Sequence, residues 1–313
     1  MADLNDVSFV MPVLNEQDYL AIAVESVLSQ KTPGKAQLVL ALGPSTDETN
    51  KIAESLAKKY KNLILVENPT GSTATGLNLA IEKSSYETVI RVDAHSELSD
   101  NYAASAVKIL NTTGAANVGG MMIAKGRTAL QKAVAFGYNS RFGLGGGSFH
   151  VGGNPGPADT VYLGCFRKSI ITELGLYEAK WVRGQDWELN LRIRQAGHTV
   201  WFDPDLKVGY YPRDSIFALG KQFYSTGVWR GSLTKQNPME SSLRYWIPPL
   251  LVPASLLVIP LGLYLLAVAI VSFGISKLGL SSKFWLLRVL PTMHFSWGVG
   301  FWVGFLSNQT KAR

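Results

Sequence analysis

No charged residue occurs between Tyr245 and Ser276, and Leu250 to Phe273 within that stretch is dominated by Leu, Val, Ile and Ala. About 20 apolar residues carry a helix across ~30 Å of hydrocarbon. The stretch therefore predicts a membrane-spanning helix, and the rest of the chain has to fold beside it. A second apolar stretch, Phe284 to Leu306, is interrupted by Arg288, Pro291 and His294 and carries Trp285, Trp297 and Trp302, which suit a membrane interface. It reads either as a second span or as an interfacial helix with a short re-entrant piece. A buried core helix of a soluble protein is the competing reading, disfavoured because such helices seldom run so long without charge. Arg230, Lys235 and Arg244 flank the first stretch, so the positive-inside tendency places the front of the chain at the cytoplasmic face of the cell membrane. Lys277, Lys283 and Arg288 weaken that contrast. The expected division is a front domain over residues 1–240 and C-terminal transmembrane or interfacial helices over residues 245–306. On that division, removing residues 245–313 should leave a folded front domain.

The 313 residues carry 30 Lys and Arg against 23 Asp and Glu. All 23 acidic residues precede Tyr245, together with 25 of the basic ones, so the net charge of +7 comes mainly from a tail without carboxylates. The basic balance is thus no sign of nucleic-acid binding. A single cysteine, Cys165, excludes an intrachain disulfide and a cysteine zinc site. It falls in the apolar run Val161 to Phe166 and is expected to be a small core residue.

The front of the chain alternates short apolar runs with helical spacing. Val7 to Met11 is a strand ended by Pro12, followed by Leu20, Val24, Val27 and Leu28 at helical intervals. Ala36 to Leu42 is the next strand, and Ser45 with Glu48 has the spacing of a capping box ahead of Ile52, Leu56 and Tyr60. Asn62 to Val66 and Glu87 to Val92 are further strands, separated by the Asn68 to Gly71 turn and a helix with Leu77, Ala80 and Ile81. Such alternation predicts an α/β fold with a mostly parallel, Rossmann-like sheet whose ligands sit beyond the carboxyl ends of the strands. The polar groups at those ends are Asn15 and Glu16, the run Gly43 to Asp47, and Asp93 with His95. No dinucleotide or P-loop fingerprint occurs at these turns. The segment from Gly143 to Pro157 holds seven glycines and two prolines and is expected to be irregular, with His150 a loop residue.

Four motifs then fall in a consistent order: V-x-F-V-M-P-V-L-N-E, G-P-S-T-D-E-T, R-V-D-A-H and G-Q-D-W-E-L-N-L-R. Over roughly residues 7–235 this order resembles the family 2 glycosyltransferases of GT-A fold, in particular membrane-anchored bacterial members that build exopolysaccharide repeat units on a lipid carrier. Gly43, His95 and Gln185 stand where that family usually has acidic residues. The resemblance implies a GT-A domain ahead of a membrane anchor of about two helices. It also implies an inverting, metal-dependent transferase that takes a nucleotide-diphosphate sugar, a UDP-sugar first among them. The acceptor would be a membrane-associated, lipid-linked saccharide. A polyprenyl-phosphate sugar synthase and a non-catalytic membrane scaffold with a degenerate site are the alternatives.

Transfer from a nucleotide diphosphate needs the leaving diphosphate neutralised, and a divalent cation does this as a Lewis acid. Asp93 is the candidate anchor with His95 beside it, a set that suits Mn²⁺ or Mg²⁺, the imidazole tilting toward Mn²⁺. An acceptor hydroxyl must lose a proton as it attacks, and Asp186 is the candidate general base at the start of a helix, where it could equally be only a cap. Glu188 and Arg192, spaced i and i+4, should pair as supporting structure. By resemblance, Pro12, Asn15, Glu16 and Asp47 join Asp93 around the nucleotide. Gln185, Trp229 and Arg230 are candidates for the acceptor or the diphosphate, Arg230 being equally readable as a juxtamembrane contact to lipid headgroups.

Overall fold

The computed structural model describes residues 4–181, 184–236, 238 and 243–307. The chain opens with β1 (Val7–Val13), α1 (Leu20–Leu28), β2 (Ala36–Leu42), α2 (Thr49–Lys59), β3 (Leu63–Glu67), α3 (Thr73–Lys83) and β4 (Thr88–Arg91). There follow β5 (Ser96–Leu98), α4 (Tyr102–Thr113), β6 (Asn117–Ala124), α5 (Ala129–Tyr138) and the four-residue helices α6 (Arg141–Leu144) and α7 (Ser148–Val151). Next come β7 (Gly156–Pro157), β8 (Tyr162–Arg167), α8 (Lys168–Glu173), α9 (Gln185–Gln195) and β9 (Val200–Tyr210). The remainder is helical: α10 (Ile216–Gln236), a 3₁₀ turn (Leu243–Trp246), α11 (Ile247–Ala254), α12 (Val258–Ile270) with a π-turn (Val271–Ile275), and α13 (Leu280–Leu306). Contacts divide the chain into one unit of residues 1–122 and 152–210 and a second of residues 123–151 and 211–313.

The first unit is built on a nine-stranded sheet of order β3-β2-β1-β4-β8-β6-β9-β5, with β7 beside β9. β1, β2, β3 and β4 are parallel. β8 runs antiparallel to both β4 and β6, and β5 and β7 run antiparallel to β9. The sheet is therefore mixed, its parallel half being the part that alternates with helices in sequence. Phe9, Leu38, Leu40, Ile90 and Leu206 form its core with Leu20 and Val24 of α1 and Tyr102 of α4, and Cys165 is buried among them as expected. The chain order reverses beside β1, between β2 and β4. In α/β sheets a ligand crevice opens at such a switch point, beyond the carboxyl ends of the strands. Pro12 does not end β1, which runs on to Val13. Pairing with β4 stops at Val10, so the missing N–H of Pro12 interrupts no β4 ladder.

In the second unit α10 and α13 lie in close contact along glycines. A Cβ on Gly227 or Gly231 would collide with the carbonyl oxygens of Trp297 and Phe301, and one on Gly300 or Gly304 with those of Tyr224 and Val228. This small-residue spacing brings two helix backbones together and is common where lipid, not water, surrounds them. α13 also packs on α5 and α11. Residues 123–151 and 211–236 thus lean on the tail, and removing residues 245–313 would strip α10 and α5 of their partner rather than leave an intact front. The uncharged stretch is broken at Ser255–Leu257 into α11 and α12. Among the described residues one helix, Val258–Ile275, is long and apolar enough to cross a membrane, with a mean hydropathy of 2.4 over 18 residues of which 17% are buried. α13 is longer, but Leu286, Val289, Leu290, Met293, Trp297 and Phe301 are buried against its neighbours.

The glycine-rich segment is more regular than expected, holding α6, α7 and β7, with Gly145, Gly146 and Gly152 at positive φ between them. His150 lies on α7, only 8% exposed, its ring 4.2 Å from that of Phe149 and edge-on to Tyr138. Burial, aided by the charge of Arg244, pushes its imidazole down to about 3.

Candidate functional site

The loop after β1 and the loop after β2 are stitched together. Asn15 adopts a left-handed φ of 54°. Its Oδ1 accepts from the Thr46 N–H at 2.8 Å, and its own N–H donates to Ser45 Oγ at 3.1 Å. Glu16 N–H donates to Thr49 Oγ1 at 2.8 Å. Asp47 accepts from the N–H of Thr49 at 3.0 Å and from that of Gln17 at 3.4 Å, and the Thr49 side-chain hydroxyl is the main cause of its lowered carboxyl pKa. The expected Ser45–Glu48 box is not formed: α2 starts at Thr49 with no side-chain cap, because Ser45 is engaged by Asn15. Asn15 and Asp47 hence hold the rim of the crevice together. Gly43 sits inside that rim. A Cβ there would lie 3.0 Å from Leu14 Cδ1, 3.1 Å from the Val13 carbonyl oxygen and 3.3 Å from Gly71 Cα. The close approach of these turns explains a glycine at this position. Pro12 is partly buried and faces α3, its Cβ bordering the space beside Gly76.

Asp93 follows β4 in a tight turn, where its carbonyl oxygen accepts from the Ser96 N–H at 2.9 Å and from Ser96 Oγ at 2.7 Å. His95 Nδ1 lies 2.9 Å from Glu16 Oε1, so the residue after β1 is paired to the residue after β4 across the switch point. A carboxylate on Nδ1 fixes the orientation of the imidazole ring.

Asp186 comes from the opposite direction in sequence. α9 begins after Gly184, at φ 73°, with Gln185 buried at its first position and Asp186 at its second. No side chain caps this helix, so Asp186 is not serving as the cap. Its Oδ1 instead accepts from Nη1 of Arg91, the last residue of β4. The same guanidinium donates to Asp93 Oδ1 from Nε at 3.2 Å and from Nη2 at 3.1 Å. Arg91 thus joins two carboxylates 93 positions apart in the chain. The Arg91 side chain is 6% exposed, that of Asp93 20% and that of Asp186 30%, so the carboxylates lie on the solvent side of the guanidinium. Burial opposes the charge on Arg91, but Asp186 and Asp93 outweigh it and hold the guanidinium firmly protonated. Burial raises the Asp186 carboxyl, with Arg91 pulling it down and Asp93 pushing it up. Burial also raises the phenols of Tyr162 and Tyr177, which sit in the field of the same carboxylates and remain neutral. Glu188 pairs with Arg192 at 2.6 Å, and Arg192 in turn donates to the carbonyl of Leu176, as support beneath α9.

Arg91, Asp93 and Asp186 together carry a net charge of −1, which favours a further cation. Among the described residues no group of three or more His, Cys, Asp or Glu side chains forms a metal cage. The carboxylate of Asp93 and the imidazole of His95 are ligand types that suit Mn²⁺ or Mg²⁺.

Trp229 and Arg230 belong to the second unit. Both are buried on α10, the Arg230 guanidinium lying 3.9 Å from the centre of the Tyr245 ring and 4.5 Å from that of Trp229. Arg230 is engaged by two aromatic faces. Arg91, by contrast, was missed by motif reasoning, although a charge inside the buried run Thr-Val-Ile-Arg-Val is a signal in itself.

The family model described as "Glycosyl transferase family 2" matches residues 8–155. The succinoglycan biosynthesis protein ExoA of Rhizobium meliloti (strain 1021) is 28% identical over 308 residues, covering 94% of this chain and 93% of that protein. A dolichyl N-acetyl-alpha-D-glucosaminyl phosphate 3-beta-D-2,3-diacetamido-2,3-dideoxy-beta-D-glucuronosyltransferase of Methanococcus voltae is 24% identical over 243 residues, 75% of either chain. Among solved structures, the mannosyltransferase PcManGT of Pyrobaculum calidifontis, in complex with GDP-Man and Mn²⁺, superposes with a TM-score of 0.67 at 17% identity, covering 98% of this chain and 89% of that one.

Proposed function

We propose that this chain, a glycosyltransferase carrying a family 2 domain over residues 8–155, transfers a sugar with inversion from a nucleotide-diphosphate donor to a lipid-linked saccharide at a membrane. The observation that carries the proposal is the meeting of Asp93 and Asp186 on one buried guanidinium at the switch point of the sheet. Asn15, Glu16 and Asp47 shape the nucleotide side of this crevice, and a UDP-sugar is the first donor to test. Asp93 and His95 would hold Mn²⁺ or Mg²⁺, which when bound supplies Lewis-acid neutralisation of the leaving diphosphate. Asp186 accepts the proton of the attacking hydroxyl. Its raised affinity for that proton, set first by burial, makes it a stronger base than a solvated carboxylate. Two named relatives act in polysaccharide or lipid-linked glycan synthesis, and the apolar helix Val258–Ile275 suits an acceptor at a membrane. A saccharide hydroxyl needs a base, whereas a polyprenyl phosphate already carries its nucleophilic charge. The placement of Asp186 therefore favours the saccharide.

Transfer kinetics on Asp186→Asn test this reading. The variant should lose ~10²- to 10⁴-fold in kcat while nucleotide affinity, read from nucleotide-titrated melting, stays near wild type. Wild-type turnover in the variant would remove the base role and favour a lipid-phosphate acceptor.

A further inference from the structure

Neither Asp93 nor Asp186 is oriented by its own element. Asp93 lies in a turn after β4, and Asp186 projects from the first turn of a helix with no side-chain cap. Each is engaged through Oδ1 by Arg91, which approaches from beneath with two edges of its planar guanidinium. Nε and Nη2 form one edge, on Asp93, while Nη1 reaches Asp186. Resting on the reading of Asp186 as the base, we propose that Arg91 is a positioning residue that sets the base and the metal-binding carboxylate by one rigid group. Its burial keeps it off the substrate, so it acts through the carboxylates and not on the reacting atoms. With Oδ1 of Asp186 held by Arg91, Oδ2 is the oxygen that takes the acceptor's proton.

A guanidinium is needed here because of its shape. Five N–H donors in one plane span two carboxylates at a fixed angle, whereas the ammonium of lysine is a point charge on a flexible stem. Lysine would retain the charge and lose the angle. A displacement of about 1 Å in a catalytic group costs on the order of 10²-fold in rate. The charge balance and the positioning function can therefore be separated by experiment.

The test compares wild type, Arg91→Lys and Arg91→Ala for melting temperature, nucleotide affinity, donor KM and kcat, the last with and without added guanidinium chloride at ~10 mM, far below denaturing levels. Arg91→Lys should fold, bind nucleotide within about threefold of wild type and lose ~10²-fold in kcat. Guanidinium should raise kcat of Arg91→Ala at least about tenfold and should leave Asp186→Asn unchanged. A kcat near wild type in Arg91→Lys, or a folded Arg91→Ala that guanidinium does not raise, overturns the proposal. Failure of both variants to fold overturns it too, since it marks Arg91 as a structural ion pair. A wild-type protein that binds no nucleotide and transfers no sugar would refute the function itself, a result distinct from any of these.

Discussion

Glu16 and His95 form a carboxylate–imidazole pair beside Asp93, and this pair sets a prediction for the metal. Imidazole favours Mn²⁺ over Mg²⁺ relative to a carboxylate. His95→Asp should therefore lower the Mn²⁺/Mg²⁺ activity ratio, and equal ratios in the two proteins would remove His95 from the metal site. Asp93, His95 and Asp186 stand out in the sequence because each falls just after a strand or at a helix start, where charge is chemically useful. Arg91 was given no role from its sequence context, since its meaning depends on Asp186 of α9, 95 positions away. His150 was misread for the same kind of reason: local glycines suggest a loop, while Tyr138 and Phe149 bury the ring. Its depressed imidazole makes a second prediction. The neutral ring is favoured in the fold, so its contribution is complete above the unfolded value near 6.5 and is lost as pH falls toward about 3. Unfolding of wild type and His150→Gln in detergent at pH 7 and 5 should show the variant losing less stability over that interval, by about 2 kcal/mol. Parallel pH dependences would show that the ring is not held neutral.

The four glycines between α10 and α13 make that helix pair a direct target. Gly227→Leu drives a side chain into the Trp297 backbone, and overpacking of this kind typically costs ~1–3 kcal/mol. Gly262→Ala on α12 is the control, with nothing within 4 Å of the added carbon and a small gain from helix propensity. Melting in detergent should fall for the first and hold or rise for the second. Equal melting temperatures would show that the close contact does not support the unit. Strands β1 to β4 were readable from their apolar runs, and β1, β2 and β4 are buried on both faces. The antiparallel half was not, since pairing of β8 with β4 and β6 is decided by register between distant segments. α10 was assigned to the front because it precedes the uncharged stretch, and its glycine seam has no meaning until α13 supplies the partner. The uncharged stretch was legible as apolar helix, but the break at Ser255–Leu257 divides it and α13 buries one face in its own unit.

At the scale of the whole molecule the chain combines a sheet unit bearing the carboxylates with a helical unit bearing the apolar helix Val258–Ile275. That combination suits a soluble nucleotide donor and an acceptor confined to a membrane. Sugar transfer from the first to the second under Asp93 and Asp186 is the reaction proposed. The measurement that reaches it most directly is incorporation from radiolabelled UDP- and GDP-sugars into lipid extracts by membranes holding wild type, Asp93→Asn or Asp186→Asn, with and without EDTA. Label is expected on an existing lipid-linked saccharide, abolished by EDTA and by either substitution. Label on a bare lipid phosphate, or transfer that survives both EDTA and the substitutions, would contradict it.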